Sequence, residues 1–230
     1  TVAYFIGGAI MSDLQFVQIK PKNPKYAIIW LHGLGDSGNG WLPIAKELQL
    51  DIFDDVHFIF PHAPQIPVTV NGGMVMPAWY DIYEMSLDRK IDHDQIQESS
   101  KGIKKIINQL IADGIQSDKI LLIGFSQGGA VAYESALSFD KPLAGLMALS
   151  TYFATEDKIT LNAANKNIPI IIQHGTIDPV VPVVLGEHAY EHLNALNYNV
   201  TLQSYTMEHT VCPTQLMDLK THIQNLLTDK

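Results

Sequence analysis

The chain has 230 residues, of which 47% are hydrophobic, and its 24 acidic and 15 basic residues give a formal charge of −9. This length and apolar content favour one large domain with a sizeable core, and the acidic balance argues against a surface that binds nucleic acid. The one cysteine, Cys212, cannot form an internal disulfide, which is typical of a reducing compartment.

The first ten residues are apolar, but they are too few to span a bilayer and lack the basic start of a secretory signal. We expect residues 1–10 to be an extension foreign to the natural protein, with Met11 as the natural first residue. A single domain is then expected over residues 11–230. Because no other apolar run is long enough for a membrane span, the sequence predicts a soluble, cytoplasmic protein.

Strand and helix patterns alternate along the chain. Short runs of branched apolar residues predict strands, and longer amphipathic segments predict helices. The predicted strands are 16–19, 26–31, 56–60, 120–123, 145–150, 169–174 and 200–205, and the predicted helices are 94–113, 130–139, 183–196 and 213–227, with a further helical stretch beginning near Trp41. This alternation predicts an α/β fold with a mostly parallel sheet, whose ligands bind at the carboxyl ends of the strands.

A Gly-Phe-Ser-Gln-Gly pentad at 124–128 joins a predicted strand to a predicted helix. Glycines two residues before and after Ser126 allow strand and helix to pass closely, so that the serine hydroxyl is held clear of the backbone. The backbone N–H of Gln127 would then point to where an oxyanion forms. The alternative is a glycine-rich turn with a passive serine.

The strand 26–31 ends in a second glycine-rich loop, at 33–38. Such a loop exposes backbone N–H groups that could hold a phosphate or an oxyanion. No Gly-Lys-Ser/Thr and no Gly-x-Gly-x-x-Gly is present, which argues against nucleotide binding. We expect His32, just before the loop, to be a packed loop residue rather than a base. In α/β-hydrolases the base follows the acid in the chain, and His32 precedes Asp178, which is the candidate acid in this sequence.

The segment 65–83 is rich in proline, glycine and large apolar residues, among them Met74, Met76 and Trp79. It lacks helical periodicity, yet it carries more apolar surface than a solvent loop. The pattern predicts an irregular lid or pocket wall, and a packed core loop is the alternative.

Two further polar residues follow predicted strands. Asp178 comes after strand 169–174 and is either a catalytic acid or a turn and helix-capping residue. His209 comes after strand 200–205 and is either a base or a buried structural histidine. A serine needs a base to take its proton and a third group to orient that base, and the order Ser, Asp, His is that of α/β-hydrolases. His188 and His192 lie one helical turn apart, and a solvated pair is expected because no third metal ligand is evident.

Five motifs together resemble the acyl-protein thioesterase/carboxylesterase family, and the match runs in order over nearly the whole chain from about Phe16. They are Gly124-Phe-Ser-Gln-Gly-Gly129, His32-Gly-Leu-Gly-Asp36, Pro61-His-Ala-Pro64, Met76-Pro-Ala-Trp-Tyr-Asp81 and His174-Gly-x-x-Asp-x-x-Val-Pro182. The resemblance implies a single-domain α/β-hydrolase fold, an acyl-serine intermediate, no cofactor and frequent homodimers. It also implies an oxyanion hole formed by the backbone N–H groups of Leu34 and Gln127. The resemblance further implies that Trp79 and the preceding loop border the acyl pocket. The apolar side chains of Met74 and Met76 in that loop are expected to contact the acyl chain.

The expected function is therefore a serine hydrolase of small-molecule carboxylic esters and thioesters. Ser126 would be the nucleophile, His209 the general base and then acid, and Asp178 the residue that orients the histidine. An acyl-protein thioesterase or lysophospholipase acting on lipidated substrates is one alternative, and a non-catalytic binding protein of the same fold is another. No metal and no nucleic-acid partner are expected. Any membrane contact would be weak and reversible, through the apolar loop 65–79.

Overall fold

The computed structural model describes residues 14–228, so the expectations for residues 1–10 and for Met11 lie outside the described residues. The strands are β1 Phe16–Ile19, β2 Tyr26–Leu31, β3 Val56–Pro61, β4 Gln65–Val68, β5 Met74–Pro77, β6 Ile82–Glu84, β7 Lys90–Ile91, β8 Ile120–Phe125, β9 Gly145–Leu149, β10 Ile170–Gly175 and β11 Val200–Tyr205. The helices are α1 Gly38–Trp41, α2 Ile44–Glu47, α3 His93–Ala112, α4 Gln127–Leu137, α5 Val183–Ala195 and α6 Pro213–Thr228.

A seven-stranded sheet in the order β1-β3-β2-β8-β9-β10-β11 forms the centre of the molecule. All its neighbouring strands are parallel except β1, which pairs antiparallel with β3 at the edge. Every residue of β3, β8, β9 and β10 is buried, as expected for strands that are covered on both faces. The predicted single-domain α/β fold is therefore confirmed.

Helices cover both faces of the sheet. Alternate residues of β2 belong to different cores, with Ile29 in the core that contains Ile103 of α3, and Trp30 in the core that contains Ile223 of α6. This alternation follows from the period of two residues in a strand. Among residues 14–228, no helix combines the length and apolar composition that a bilayer span requires.

The segment 65–83 differs from the prediction, because it contains regular structure. Strands β4 and β5 form an antiparallel hairpin in which Gln65 lies opposite Pro77. β6 and β7 form a second, irregular hairpin. Strands of two to four residues are too short to show a period of two, and the prolines in β4 and β5 are atypical of strands. The expectation of an irregular segment was wrong for this reason.

Two helix boundaries also differ from the prediction. α4 begins at Gln127 rather than near residue 130, because the glycines that follow Gln127 have low helix propensity and hide the start of the helix in the sequence. The helical stretch expected near Trp41 consists of two short helices, α1 and α2, which are separated at Pro43. α4 and α1 therefore begin closer to the carboxyl ends of the preceding strands than predicted.

The close passage of β8 and α4 makes Gly124 sensitive to substitution. A Cβ atom at Gly124 would lie 2.5 Å from the carbonyl oxygen of Gly128 and 2.6 Å from Cα of Gly129, both of which are backbone atoms. We therefore expect Gly124→Ala to lower the free energy of unfolding by about 1–3 kcal/mol or more, as overpacking does. Urea denaturation followed by circular dichroism measures this change. Asn108→Ala, on the exposed face of α3, is the control and should not lower stability; equal stability of both variants would contradict the close contact.

Candidate active site

Ser126 lies on the turn between β8 and α4, with backbone angles φ 53° and ψ −123°. A positive φ is unfavourable for a residue with a side chain, and such angles persist only where the surroundings enforce them. The Ser126 N–H donates to the carbonyl oxygen of Leu149 at 2.9 Å, and its carbonyl oxygen accepts from the hydroxyl of Thr151 at 2.6 Å and from the N–H of Gly129 at 2.9 Å. These hydrogen bonds to β9 and to its exit loop hold the turn in place.

Gly128 brings this turn into contact with the loop that follows β2. A Cβ atom at Gly128 would lie 2.5 Å from the carbonyl oxygen of His32 and 2.6 Å from that of Leu31. Only glycine fits at this distance. The contact places the first turn of α4 beside the loop 33–38.

The structure brings Ser126, Asp178 and His209 together from the ends of three different strands. Nε2 of His209 lies 2.9 Å from Oγ of Ser126, and Nδ1 of His209 lies 2.7 Å from Oδ2 of Asp178. A carboxylate only accepts hydrogen bonds, so Nδ1 donates to it and Nε2 is free to accept from the serine hydroxyl. This is the arrangement in which an imidazole can take a proton from a serine.

Asp178 makes the contacts that both of the roles left open by the sequence would require. Its Oδ1 accepts from the N–H groups of Val180 and Val181 at 2.8 Å, as in a turn-forming aspartate, while its Oδ2 faces His209. The Asp178 side chain has no exposed surface. His174 lies beside it, and burial lowers the pKa of His174, which favours a neutral ring whose Nε2 donates to the carbonyl oxygen of Val181. The carboxylate thus accepts from backbone N–H groups on one oxygen and from the imidazole of His209 on the other.

Aromatic rings fix the position of His209. The ring of Phe125 lies 4.8 Å from the imidazole between centroids, and Phe125 in turn contacts Trp41 at 5.1 Å. The sequence analysis assigned no role to either residue. Phe125 could have been identified from its place inside the pentad, next to the serine, whereas Trp41 carries no comparable signal.

His32 is a packed loop residue, as expected. It is completely buried, its Nε2 accepts from the N–H of Ala63 at 3.0 Å, and its Nδ1 donates to the carbonyl oxygen of Gly33 at 2.7 Å. Burial lowers the pKa of His32, which favours the neutral ring that this pattern requires. The imidazole therefore fixes the course of the loop 33–38.

Leu34 and Gln127 both line the cavity at Ser126. Within residues 14–228, neither backbone N–H donates a hydrogen bond to a protein group. The side chain of Gln127 is fully used elsewhere, because its Oε1 accepts from the N–H of Trp79 at 2.8 Å and its Nε2 donates to the carbonyl oxygen of Tyr80 at 2.6 Å. Two unpaired amides on neighbouring elements can act as donors to an oxyanion in the cavity.

The cavity at Ser126 has a volume of about 240 Å³. Its walls come from six parts of the chain: the loop after β2, the segment 80–89, the turn at Ser126, and the loops after β9, β10 and β11. The lining residues are Gly33, Leu34, Asp36, Tyr80, Ile82, Met85, Arg89, Phe125, Ser126, Gln127, Tyr152, Val180, Val181 and His209. Tyr80 belongs to the segment 65–83 that was predicted to form a lid or pocket wall. The sequence analysis missed Arg89 and Tyr152, which lie on segments far apart in the chain.

Met74, Met76 and Trp79 do not line this cavity, in contrast to the expectation. Met74 is 63% exposed at the end of the hairpin, Met76 is partly buried, and the ring N–H of Trp79 donates to the carbonyl oxygen of His32 at 2.8 Å. The reason is that β4 and β5 pair with each other, so this part of the segment does not fold over Ser126. Trp79 supports the loop at Leu34 from outside the cavity.

The histidine pair on α5 has an acidic neighbour. Nδ1 of His188 and Nδ1 of His192 lie 3.5 and 3.6 Å from Oε2 of Glu156. Across the part of the chain that the structure describes, no group of three or more histidine, cysteine or acidic side chains is arranged to hold a metal ion. The three residues therefore form a polar contact between α5 and the loop that contains Glu156.

The chain is similar to known proteins over most of its length. The chain is 38% identical over 236 residues to acyl-protein thioesterase 1 of Cryptococcus neoformans, covering 94% of this chain and 99% of that protein. Its fold matches the crystal structure of Arabidopsis thaliana SOBER1 with a TM-score of 0.83 and 31% identity, over 88% of this chain and 99% of that one. Acyl-protein thioesterase 2 of Zea mays matches with a TM-score of 0.78 and 26% identity, over 93% and 99% of the two chains.

The family model described as phospholipase/carboxylesterase matches residues 12–227. This match covers nearly all of the sequence and confirms the resemblance seen in its motifs. The chain belongs to the phospholipase/carboxylesterase family and is a hydrolase.

Proposed function

We propose that this protein is a serine hydrolase that cleaves carboxylic esters and thioesters of acyl chains through an acyl-serine intermediate on Ser126. The observation that carries the proposal is the hydrogen-bonded series from Asp178 through His209 to Ser126, at 2.7 and 2.9 Å. A serine hydroxyl is almost inert at neutral pH, and a base in this position makes it a nucleophile.

His209 would take the proton from Oγ of Ser126 as the oxygen attacks the acyl carbonyl carbon. Asp178 would hold Nδ1–H of the imidazole and stabilise the imidazolium that forms. His209 would then give the proton to the leaving group, which departs as an alcohol or a thiol and leaves the acyl group on Ser126. A water molecule would release the acid by the same steps with His209 again as base.

The backbone N–H groups of Leu34 and Gln127 would bind the oxyanion of the tetrahedral intermediate. Both residues line the cavity beside Ser126, and Gln127 is at the start of α4, where the helix dipole favours negative charge. Because these donors are already fixed before the reaction, they would stabilise the developing charge without reorganisation.

Thioesters should be substrates together with oxygen esters. The proposed oxyanion donors and the cavity act on the acyl half, which both substrates share, and a thiolate leaves more readily than an alkoxide. The name of the Cryptococcus neoformans relative, acyl-protein thioesterase 1, supports this part of the proposal. The alternative is an acyl-protein thioesterase or a lysophospholipase acting on lipidated substrates, which would require room for a longer acyl chain. A non-catalytic binding protein would not need the complete series of Asp178, His209 and Ser126.

Three expectations about the setting of the enzyme are part of the same proposal. We expect a cytoplasmic enzyme, since the one cysteine forms no internal disulfide. We expect any membrane contact to be weak and to involve the hairpin of β4 and β5, where Met74 and Val75 are 63% and 62% exposed. Homodimer formation is expected from the family resemblance.

Replacing the nucleophile should abolish turnover. We expect Ser126→Ala to lower kcat on the order of 10⁶-fold, as loss of the nucleophile does in a well-studied serine protease, and to prevent labelling by a fluorophosphonate. Ester hydrolysis and mass spectrometry of the labelled protein measure both effects. Ser204→Ala, an exposed serine on β11, is the control and should keep full activity. Labelling of a different serine in the wild-type protein would remove the basis of the proposal.

Replacing the acid should leave the fold intact but impair the base. Asn in place of Asp178 can still accept from the N–H groups of Val180 and Val181, but its amide can favour the wrong imidazole tautomer and cannot stabilise the imidazolium. We expect Asp178→Asn to lower kcat by up to about 10⁴-fold with little change in thermal stability. Asp157→Asn removes an exposed acid and should be neutral. Near-normal activity of Asp178→Asn would show that another residue orients His209.

The cavity volume favours short acyl chains. This volume of about 240 Å³ is smaller than the roughly 300–1,000 Å³ of most ligand pockets. Each methylene of the acyl chain that is buried in the cavity stabilises binding by about 0.8 kcal/mol, and methylenes beyond the filled cavity add nothing. We expect kcat/KM to rise from acetyl to butyryl and to be lower for dodecanoyl, with oxygen esters and with thioesters alike. Matched p-nitrophenyl esters and thiocholine esters measure both series. A continuous rise to palmitoyl would contradict the small cavity, and inert thioesters would contradict the thioesterase activity.

A further inference from the structure

Arg89 is the one arginine in the sequence, and it lines the cavity that contains Ser126. Its guanidinium lies over the ring of Tyr152, with Cζ 5.0 Å from the ring centroid. One terminal nitrogen donates to the carbonyl oxygen of Val180, and the other lies 3.1 Å from Sδ of Met85. The guanidinium is thus held on one wall of the cavity by an aromatic ring and a backbone carbonyl.

This positive charge has no acidic partner in the part of the chain that the structure describes. No carboxylate of residues 14–228 forms an ion pair with Arg89 within 4.0 Å. Its Nε is buried and has no hydrogen-bond partner. The groups that contact the guanidinium are the carbonyl oxygen of Val180, the sulfur of Met85 and the side chain of Tyr152, and none of them carries a negative charge. A buried donor without a partner is costly unless a ligand supplies one.

The other polar groups of the cavity do not compensate this charge. The hydroxyls of Tyr80 and Tyr152 form a hydrogen bond with each other at 2.7 Å, and burial raises the pKa of both, so they are neutral. Asp36 also lines the cavity, but its side chain is exposed and lies between the cavity and an adjoining groove lined by Trp41 and Thr210. Arg89 does not line that groove. The wall at Arg89 is therefore positive and mostly apolar.

We propose that Arg89 is a specificity-determining residue, which selects acyl esters and thioesters that carry an anionic group, a carboxylate or a phosphate. This inference rests on the proposed function, because it concerns substrates of the same cavity. An arginine fork binds either anion through paired hydrogen bonds, which are stronger than bonds between neutral groups. The anion belongs either to the acyl part, as in the monoester of a dicarboxylic acid, or to the leaving group, as in an ester of a phosphorylated alcohol.

A purely structural role of Arg89 makes a different prediction. The carbonyl oxygen of Val180 that Arg89 binds belongs to the loop whose N–H groups hold Asp178. If Arg89 only braced this loop, its loss would lower kcat/KM by the same factor for neutral and anionic substrates. Selection of an anion lowers kcat/KM for the anionic substrate alone.

The test compares matched substrates with the wild-type enzyme, Arg89→Gln and Lys90→Gln. Ethyl valerate and the monoethyl ester of glutaric acid test an anion on the acyl part, and 2-acetoxyethanol and 2-acetoxyethyl phosphate test one on the leaving group. Lys90→Gln is the charge-matched control, because Lys90 is adjacent to Arg89 but lies outside the cavity, 2.7 Å from Glu84. Arg89→Lys keeps the charge without the planar fork. Titration at constant pH gives kcat/KM for each pair.

We expect the wild type to prefer the anionic member of one pair by about 10-fold or more, in line with charge-assisted hydrogen bonds. Arg89→Gln should reduce this preference to near unity, Arg89→Lys should keep part of it, Lys90→Gln should keep all of it, and 0.5 M NaCl should weaken it. The pair that shows the preference identifies the part of the substrate that carries the anion. Equal losses on both members, or no preference in either pair, would overturn the inference. Failure of the wild type to hydrolyse any of the four esters, neutral or anionic, would instead count against the proposed function.

Discussion

The strained backbone of Ser126 is the constraint on which the site depends. A side chain at φ 53° and ψ −123° costs about 1–3 kcal/mol, and the protein offsets this cost with hydrogen bonds to the exit of β9 and with glycines at 124 and 128. The glycines have a second effect, since they allow α4 to lie against both β8 and the loop after β2. The serine hydroxyl and the amides of Leu34 and Gln127 are brought together by this single turn.

The hydrogen-bonded series differs in burial from one end to the other. Asp178 has no exposed side-chain surface and accepts from two backbone N–H groups as well as from His209, whose side chain is 16% exposed. The series is therefore closed to solvent at Asp178 and open at His209, on the side of the cavity where we propose that the substrate binds.

Sequence and structure agree where one local signal decides the outcome. The central strands were predicted because continuous apolar runs such as Ile120–Phe125 are typical of strands that are buried on both faces, and polar residues that follow such strands necessarily lie at one edge of the sheet. The relative positions of Ser126, Asp178 and His209 follow from that rule. The hydrogen bonds among their side chains required the structure.

The walls of the cavity could not be predicted in this way, because they depend on contacts between segments that are distant in the chain. Tyr80 and Tyr152 meet through their hydroxyls, and Arg89 reaches Val180 across 91 positions. Apolar content alone pointed to Met74 and Met76, but an apolar residue in a short hairpin can face solvent as readily as a pocket.

Gln127 connects the proposed oxyanion donors with the segment at Trp79 and Tyr80, which the sequence analysis treated separately. Its backbone N–H lies at the cavity, while its side chain holds the backbone of Trp79 and Tyr80, and Trp79 in turn binds the carbonyl oxygen of His32 next to the loop of Leu34. These groups are buried, so breaking any of the bonds would leave an unpaired polar group at a cost of about 1–3 kcal/mol. The proposed oxyanion donors and the wall formed by Tyr80 are consequently fixed as one unit. Arg89 lies beyond this unit, because its guanidinium contacts Met85, Tyr152 and the carbonyl oxygen of Val180 rather than Leu34 or Gln127. A substitution at Arg89 therefore changes the charge of the cavity wall without removing a contact that holds the proposed oxyanion donors.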